Sequence, residues 1–297
     1  MGVERRIWLI AGPTASGKSA LAIQLAEKHK GVVVNADSMQ VYRDLRIITA
    51  RPSEVDEARV PHRLYGHVDG VDAYSTAHWA KDVAVLLKET DAEQPLIFVG
   101  GTGLYFKALL VGLSDMPEIP EPVRRRWRYR LSEEGASRLH RVLRAQDPLV
   151  AAELSPADGQ RIVRALEVLE TSGKSISHWR GNRKPALLDQ GNVEKMLMMP
   201  DRDILRKRIA ARFDFMLKNG ALAEVATLLK RELDPSLPVM KAIGVSICRN
   251  LIADEITHAE AVERGVIETS QYAKRQRTWF RNQFDDQWRV VSPEEVS

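Results

Sequence analysis

The stretch Gly-Pro-Thr-Ala-Ser-Gly-Lys-Ser at residues 12–19 decides the fold. It fits the phosphate-binding loop pattern G-x-x-x-x-G-K-[ST], with both glycines, Lys18 and Ser19 at the fixed positions. The apolar run at residues 7–11 predicts a buried strand before the loop, and residues 19–30 favour a helix after it. Because a strand, a glycine-rich turn and a helix are the parts that such a loop requires, the sequence predicts a phosphate-binding loop in its proper context.

The chemistry of this loop is anion binding. Its glycines allow successive backbone N–H groups to point inward, and the following helix adds the partial positive charge of its N-terminus. Lys18 supplies a full positive charge, and the Ser19 hydroxyl can ligate a magnesium ion held between phosphates. The residues predicted to bind a diphosphate or nucleotide are Gly12, Pro13, Thr14, Ala15, Ser16, Gly17, Lys18 and Ser19.

Length and composition are those of an ordinary globular protein. The chain has 297 residues, of which 44% are hydrophobic and 28% charged, enough for one large domain or two smaller ones. The apolar run near the N-terminus is too short for a signal peptide or a membrane span, so we expect a cytoplasmic protein that does not enter a membrane. The single cysteine, Cys248, excludes a disulfide framework and is expected to be a small core residue.

Polar residues follow two further predicted strands, at residues 32–34 and 96–99. Asp37 comes after the first strand and Thr102 after the second. Because ligands of open α/β sheets bind beyond the carboxyl ends of the strands, both residues are expected at the same edge as the phosphate loop. Asp37 also has a plainer interpretation, as a helix N-cap or turn former, which is compatible with a role in the site. A nucleotide hydrolase often holds magnesium with an aspartate after such a strand; Gly100 stands there instead, which argues mildly against an ATPase.

The composition changes after Met116. A proline-rich linker at residues 117–122 leads into residues 124–144, which contain eight arginines, with Trp127 and Tyr129 among them. Such a run is most often a solvated helix face. It also suits a kinase-type lid that closes on phosphates, or a surface that binds nucleic-acid backbone, and the residues alone leave all three interpretations open.

Further elements are predicted beyond this run. One helix is expected to begin around Pro156, since proline is favoured at the first helical position, and to stop at Gly173. The apolar residues 196–199 predict a returning strand. Residues 202–219 and 221–231 predict two more helices, separated by a glycine that ends the first.

Two basic features occur in the last third of the chain. Arg208 and Arg212 are four residues apart on a predicted helix and therefore share a face. Residues 271–281 mix cations with aromatic residues and contain no acid. This stretch indicates either a surface helix with buried aromatic residues or a contact for nucleic acid.

Four segments, taken together and in order, resemble the bacterial tRNA dimethylallyltransferase family, also called tRNA isopentenyltransferases or IPP transferases. The segments are GPTASGKS at 12–19, DSMQVYR at 37–43, GGTGLY at 100–105 and QYAKRQRTWFR at 271–281. The phosphate loop alone is shared by many families, whereas the other three segments together are specific. The resemblance runs from about residue 7 to residue 284, with one departure at Val245, where the family commonly has tyrosine.

The resemblance implies an α/β fold, with a P-loop NTPase-like parallel sheet flanked by helices and an all-helical insertion domain. Together with the composition change, it predicts a first part of the core at residues 1–116, a tRNA-binding insertion at 117–194 and a second, mostly helical part of the core at 195–297. It implies transfer of a dimethylallyl group from dimethylallyl diphosphate to the N6 amine of the adenosine 3′ of the anticodon, in tRNAs that read codons beginning with U. The expected cofactor is Mg²⁺, and the expected partners are the tRNA anticodon loop and dimethylallyl diphosphate, with the protein acting as a monomer.

The predicted site residues follow from this resemblance together with the residue chemistry. Lys18 and Arg212 would neutralise the departing diphosphate, Asp37 would accept a proton from the amine, and Thr102 would orient the base. Ser19 is the predicted metal ligand. The adenosine must be turned out of the anticodon loop to reach these groups. The residues predicted to bind tRNA are Asp37, Ser38, Met39, Gln40, Thr102, Arg124, Gln160, Arg161, Ile162, Val163, Arg164, Lys274, Arg275 and Arg277.

The alternative function is that of a nucleoside or nucleotide kinase, in which the loop binds ATP and the arginine-rich run acts as its lid. A non-catalytic RNA-binding protein is a third interpretation, but it leaves the phosphate loop without a role.

Overall fold

One parallel sheet organises the computed structural model of the chain, which describes residues 5–292. Its strands are β1 (Ile7–Ala11), β2 (Val32–Asn35), β3 (His62–Arg63), β4 (Leu96–Gly100), β5 (Val193–Met198) and β6 (Arg289–Val291). Their order across the sheet is β3-β2-β4-β1-β5-β6, and every neighbouring pair is parallel. Strands β1, β2 and β4 are buried throughout, because helices cover both faces of a parallel sheet and its central strands are therefore continuous apolar runs.

Thirteen α-helices accompany the sheet in the described part of the chain. They are α1 (Lys18–His29), α2 (Glu54–Arg59), α3 (Thr76–Glu89), α4 (Gly103–Val111), α5 (Glu121–Glu134), α6 (Ala136–Gln146), α7 (Pro148–Glu153), α8 (Gly159–Ser172), α9 (Ile176–Arg180), α10 (Arg202–Met216), α11 (Leu222–Leu229), α12 (Val245–Ile252) and α13 (His258–Gln283). The predicted α/β class, a parallel sheet flanked by helices, is confirmed.

The predicted strands and most of the predicted helices lie where the residue pattern placed them, with one clear difference at α8. This helix begins at Gly159 rather than around Pro156, because the Asp158 side chain accepts the N–H of Arg161 and caps the helix N-terminus. A carboxylate that satisfies a free helix N–H group is a stronger start signal than a proline that only removes one. The edge strands β3 and β6, the first half of α13 and the helices α2, α4, α7, α9 and α12 were not predicted.

The chain divides into two compact units. Unit 1 comprises residues 1–110 and 187–297, and unit 2 comprises residues 111–186. The insertion predicted from composition, at 117–194, is shifted by several residues from unit 2. The outer segments of the predicted core also include residues 1–4 and 293–297, which lie outside the described range.

Backbone pairing explains the shifted boundaries. Before the proline-rich linker, Ser114 pairs with Arg183 in an antiparallel bridge, and Lys184 donates its N–H to the carbonyl of Leu113 at 2.8 Å. These contacts join the two ends of unit 2 to each other. At the other end, Val193 already pairs with Ile7 in the central sheet, so it belongs with unit 1.

In unit 1, side chains of the helices pack against the sheet and bury it. One face packs against α1 through a cluster that includes Trp8, Ile97 and Ile23. Elsewhere Trp79 of α3 stacks on Tyr105 at 4.2 Å between ring centroids and donates its indole N–H to the carbonyl at the end of β2. A second cluster, built from α10, α11 and α12, contains the buried free thiol of Cys248, as predicted, and burial raises its pKa to about 11.

Unit 2 is helical and has a core of its own. The core joins α5, α6 and α8 through Trp127, Leu139, Leu143 and Ile162. Part of the arginine-rich run is a solvated, ion-paired surface, the first of the three predicted interpretations. For example, Glu134 accepts from the guanidinium groups of two arginines, one on α5 and one on α6.

We predict that Gly100→Ala destabilises unit 1 by at least about 1–3 kcal/mol, the usual effect of overpacking a filled core. A β-carbon at this position would lie 2.0 Å from the carbonyl oxygen of Ala36, and a backbone group cannot move aside cheaply. Urea unfolding, with the m-value compared between variants, measures the effect.

Gly191→Ala is the matched control in the same unit, because its added β-carbon would meet nothing closer than Asp189 Oδ1 at 3.9 Å. Its stability should change by no more than about 0.5 kcal/mol. Equal unfolding free energies for the two variants would show that the close approach of β4 to Ala36 does not constrain the sheet.

Candidate active site

The phosphate loop has the backbone geometry that its sequence predicts. Ala15 and Gly17 adopt left-handed conformations, with φ of 63° and 95°, and Gly17 is the N-cap of α1. The N–H of Ser16 bonds back to the carbonyl of Pro13 at 3.3 Å, which closes the turn. The loop therefore curls at the N-terminus of a helix, where the helix dipole favours an anion.

A cavity of about 930 Å³ opens over this loop. Its lining comes from the loop itself, from the segment after β2, from α10, from the approach to α12 and from α13. The sequence-predicted residues that line it are Thr14, Ala15, Ser16, Gly17, Lys18, Ser19, Asp37, Ser38, Met39, Gln40, Arg212 and Arg275. Strands β1 and β2 are both parallel to β4, which lies between them, so the loop after β1 and the segment after β2 lie at the same edge of the sheet.

Lys18 is the cation at the centre of the loop. Its ammonium donates to the carbonyl of Pro13 at 3.3 Å. Burial lowers the pKa of Lys18 to about 8; the negative charge of Asp37 works against this shift, and the positive charge of Arg212 adds to it. A bound anion would favour the protonated ammonium and so raise this pKa.

Two arginines reach the loop from α10. Arg212 donates a hydrogen bond to the hydroxyl of Thr14, and burial lowers the pKa of Arg212, opposed by Asp37. Arg208, one turn earlier, points a guanidinium N–H at the carbonyl of Ser16 at 3.5 Å. The loop thus has three cationic side chains around it, a surplus of positive charge that suits a diphosphate.

Asp37 lies at the carboxyl end of β2, where the sequence predicted it. Its carboxylate accepts the N–H of Met39 at 3.0 Å, so it forms a turn and is not a helix N-cap. Asn35 fixes the backbone of this turn: its buried amide donates to the Asp37 carbonyl at 2.9 Å and accepts the Asp37 N–H at 2.8 Å. The second carboxylate oxygen stays available for other contacts.

Thr102 lies behind this turn and is not among the residues that line the cavity. Its hydroxyl accepts the N–H of Ser38 at 2.9 Å and donates to the Ser38 hydroxyl at 3.3 Å. In this conformation Thr102 holds the segment that carries Asp37, and a direct contact with a base stays a prediction.

The cavity also has an apolar wall, formed by Ile48, Met198, Ile209, Phe213 and Met216. Glycines create the space for it. A β-carbon on Gly265 would lie 2.2 Å from the Phe213 ring, and one on Gly244 would lie 2.6 Å from Ile48. A ligand in this cavity therefore meets charge at one side and a packed apolar surface at another.

The other predicted residues of unit 1 lie around the cavity rather than in its lining. Gly12 and Pro13 connect β1 to the loop; a β-carbon on Gly12 would meet the Met198 carbonyl at 2.8 Å. Lys274 is exposed on α13. Arg277 donates to the carbonyl of Pro200 at 2.6 Å, which ties its guanidinium to the chain just before α10.

Unit 2 carries the remaining predicted residues, and two of them have buried side chains. Ile162 and Val163 are 0% and 6% exposed in the core of the unit, so their side chains offer no contact surface for tRNA. They occupy the apolar stripe of α8, whereas Gln160, Arg161 and Arg164 lie off that stripe. Arg164 pairs with the buried carboxylate of Glu167 at 3.6 Å.

Arg124, the remaining predicted residue of unit 2, is half-buried on α5 and pairs with Glu121 at 3.5 Å. Its guanidinium also lowers the pKa of Arg164, after the larger effect of burial. The two arginines therefore lie close enough to repel each other, an arrangement that a phosphate would relieve.

Several residues in or beside the cavity were not predicted. The sequence predicts Arg208 only as a neighbour of Arg212 on one face of a helix. That shared face is the pattern from which its position beside the phosphate loop could have been predicted. Asn35 is a polar residue that ends an apolar strand, which is a usable signal of the same kind. Tyr272 of α13 and the segment 241–243 also line the cavity, while Val245, the departure from the family pattern, is buried at the start of α12.

No group of three or more His, Cys, Asp or Glu residues among residues 5–292 is arranged to hold a metal ion. Along the same described range, none of the helices combines the length and apolar character needed to cross a bilayer.

The fold and the loop define a phosphate-binding α/β protein of the P-loop type. The model of the IPP transferase family matches residues 40–283. A tRNA dimethylallyltransferase of Chelativorans sp. (strain BNC1) is 56% identical over 281 residues, covering 94% of this chain and 96% of that protein. One of Rhizobium etli (strain CIAT 652) is 53% identical and covers 99% of both chains. The chain belongs to the IPP transferase family.

Solved structures agree with this assignment. The full-length tRNA isopentenylpyrophosphate transferase of Bacillus halodurans superposes with a TM-score of 0.66 at 29% identity, over 97% of this chain and 90% of that one. A eukaryotic dimethylallyltransferase described as acting on tRNA superposes with a TM-score of 0.75 at 28% identity, over 93% of this chain and 70% of that one. The likeness extends through both the sheet and the inserted unit of the chain.

We predict that the free protein binds inorganic diphosphate more weakly as the pH rises through about 8, the pKa of Lys18. Binding favours the ammonium form, which is present below this pH and lost above it. The loss should approach tenfold in affinity per pH unit beyond the pKa. Calorimetric titrations between about pH 7 and 9.5 measure it.

Lys18→Arg is the control for this titration, since a guanidinium stays protonated over the whole range. Titration of diphosphate itself affects both proteins alike, so the difference between the two curves reports Lys18. Parallel curves would contradict the assignment of the lowered pKa to this residue.

Proposed function

We propose that this chain is a tRNA dimethylallyltransferase that transfers a dimethylallyl group from dimethylallyl diphosphate to the N6 amine of the adenosine 3′ of the anticodon. One observation carries the proposal: the loop at residues 12–19, Asp37 and an apolar wall line the same cavity. These are the three surfaces that a prenyl diphosphate and an amine acceptor need. The names of the curated relatives support the same substrate pair.

The proposed reaction forms a bond between N6 and C1 of the dimethylallyl group and breaks the bond from C1 to the diphosphate oxygen. The bond electrons leave with the diphosphate, and the proton of the amine passes to the Asp37 carboxylate. Diphosphate is a good leaving group only when its added charge is neutralised. Lys18, Arg212 and the loop N–H groups are placed to do so, and such preorganised donors act most strongly where charge develops.

The donor set fits a magnesium ion, which we propose as the cofactor. Ser19 lines the cavity, and its hydroxyl would hold the ion together with phosphate oxygens and water. Mg²⁺ prefers such partly hydrated sites to cages made wholly of protein ligands. When bound, the ion would neutralise part of the diphosphate charge.

Asp37 is the proposed general base. The adenine amine is a poor nucleophile because its lone pair is delocalised into the ring, so a carboxylate that accepts its proton accelerates attack. Thr102 and Asn35 hold the turn that carries Asp37, which limits the directions in which the carboxylate can point.

The tRNA contacts are proposed on the basic residues of both units. We expect the phosphate groups of tRNA to bind five cationic side chains, because such side chains dominate binding to nucleic-acid backbone. These are Arg124, Arg161 and Arg164 of unit 2 and Lys274 and Arg275 of α13. We further propose substrates among tRNAs that read codons beginning with U, a cytoplasmic site of action and a monomer.

The kinase alternative is not favoured. The curated relatives that match almost the whole chain are named tRNA dimethylallyltransferases. The residue after β4 is also Gly101 rather than the acidic residue that would hold a magnesium-bound nucleotide.

We predict that Asp37→Asn lowers kcat for prenyl transfer to tRNA by roughly 10²–10⁴, because it removes the base and keeps the shape. The asparagine oxygen can still accept the Met39 N–H, so the turn and the affinity for tRNA should be retained. Incorporation of a labelled dimethylallyl group into tRNA, measured beside ATP hydrolysis, tests the function and the residue together.

Asp91→Asn is the matched control, because Asp91 accepts the N–H of Glu93 at 3.0 Å in a similar turn outside the cavity lining. It should keep the rate of the unmodified protein. If the unmodified protein hydrolysed ATP in response to tRNA and transferred no prenyl group, the proposed function would be wrong. Normal turnover by Asp37→Asn with a lower melting temperature would reduce Asp37 to a turn former.

We predict that the double variant Arg124→Ala with Arg164→Ala binds tRNA more weakly and with a shallower salt dependence. Each lost phosphate contact should reduce the slope of log K against log salt by about 0.7 to 0.9, since fewer counterions are released on binding. The affinity for dimethylallyl diphosphate should not change. Filter binding at several salt concentrations measures the slope.

The control pair is Arg141→Ala with Arg144→Ala on α6, which removes the same charge from exposed positions. An equal change of slope in both pairs would indicate a general effect of charge. An unchanged tRNA slope with weaker binding of the small substrate would instead indicate a lid that closes on phosphates.

A further inference from the structure

Gln276 is a polar side chain in the interior of unit 1. It lies on α13, is 5% exposed, and belongs to the basic and aromatic stretch for which a surface or tRNA contact was predicted. Its amide forms one hydrogen bond to each of two loops. The side-chain oxygen accepts the N–H of Thr14 at 2.9 Å, and the side-chain nitrogen donates to the carbonyl of Gly101 at 2.9 Å.

The two loops that this amide joins serve different halves of the site. Thr14 belongs to the phosphate loop, and its hydroxyl accepts the hydrogen bond from Arg212. Gly101 precedes Thr102, whose hydroxyl holds Ser38 beside Asp37. A continuous chain of hydrogen bonds and short backbone links therefore runs from the proposed leaving-group arginine to the loop that supports the proposed base, with Gln276 in its middle.

The fit around this amide is close. A β-carbon on Gly101 would lie 2.1 Å from the Gln276 side-chain nitrogen, so any larger residue at that position would displace the amide. The same added β-carbon would lie 3.4 Å from Asp37 Oδ2, which shows how near the bridge comes to the base.

A primary amide is suited to this position because it combines N–H donors and an acceptor oxygen on a single rigid plane. A carboxylate would keep the acceptor for Thr14 and lose the donor for Gly101. A thioether of similar length would lose both and leave two buried backbone groups without partners, which is unfavourable.

We infer that Gln276 is a positioning residue that holds the phosphate loop and the Thr102 loop in the register needed for prenyl transfer. This inference rests on the proposed function. It assigns no contact with substrate to Gln276, which acts through Thr14 and Thr102. Since a displacement of about 1 Å between reacting groups can lower a rate by around 10²-fold, loss of the bridge should appear mainly in kcat.

The test replaces Gln276 by Met and measures kcat, KM for dimethylallyl diphosphate, affinity for tRNA and melting temperature. We expect kcat to fall by roughly 10–100-fold, with tRNA affinity retained because the amide is buried away from the surface. Assays are made well below the melting temperature of each variant. The matched control is Gln271→Met, the same substitution at an exposed position of α13, which should keep the rate of the unmodified protein.

A second variant and a double variant separate positioning from simple stability. Gly101→Ala pushes on the same amide from the other side and should lower kcat in the same way, so the test does not depend on the folding of one variant. Gln276→Met combined with Thr102→Ala should lose less activity than the product of the single losses, because both act on one loop. Multiplicative losses, or a normal kcat with only a lower melting temperature, would overturn the inference. Absence of prenyl transfer by the unmodified protein would instead overturn the proposed function.

Discussion

Buried positive charge at the end of β1 is the constraint on which the site depends. Lys18 and Arg212 are both buried enough that their pKa values are lowered, so in the free protein each is charged in an unfavourable environment. Asp37 offsets part of this effect for both. A bound anion would offset the rest, so the charge of the free cavity favours anionic over neutral ligands. The left-handed φ values of Ala15 and Gly17 belong to the same loop; glycine adopts such a φ without strain, whereas for Ala15 it is unfavourable.

The parts of the fold that the sequence predicts well are those encoded by neighbouring residues. The strand at 7–11, the loop after it and the helix α1 follow from local patterns of apolar residues and glycines. Asp37 could be placed because a general rule puts ligands at the carboxyl ends of parallel strands. Gln276 could not, since its partner Thr14 is 262 positions away in the sequence and nothing local reveals which helix will cover the phosphate loop.

At α8, the family resemblance alone does not show which residues reach the surface, and helix periodicity is needed as well. A contiguous segment around Arg161 was predicted to bind tRNA, yet a helix turns successive residues to different faces. Ile162 and Val163 fall on the apolar stripe and fill the core of unit 2, while the polar residues beside them remain at its surface. The boundaries of unit 2 were misplaced for a related reason: composition marks the proline-rich linker, but the pairing of Ser114 with Arg183 is a long-range contact that composition does not encode.

The cavity has a charged side and an apolar side, and different interactions build the two sides. The charged side is built from hydrogen bonds, which require specific donors and acceptors and therefore specific residues such as Asn35 and Gln276. The apolar side is built from packing, and its shape is set by where side chains are absent. Gly265 leaves the space that the Phe213 ring fills, so the wall is positioned by a glycine on α13, the same helix that supplies the amide bridge to the phosphate loop. One helix thus fixes both the electrostatic and the apolar side of the site, and a shift of α13 would disturb the two together.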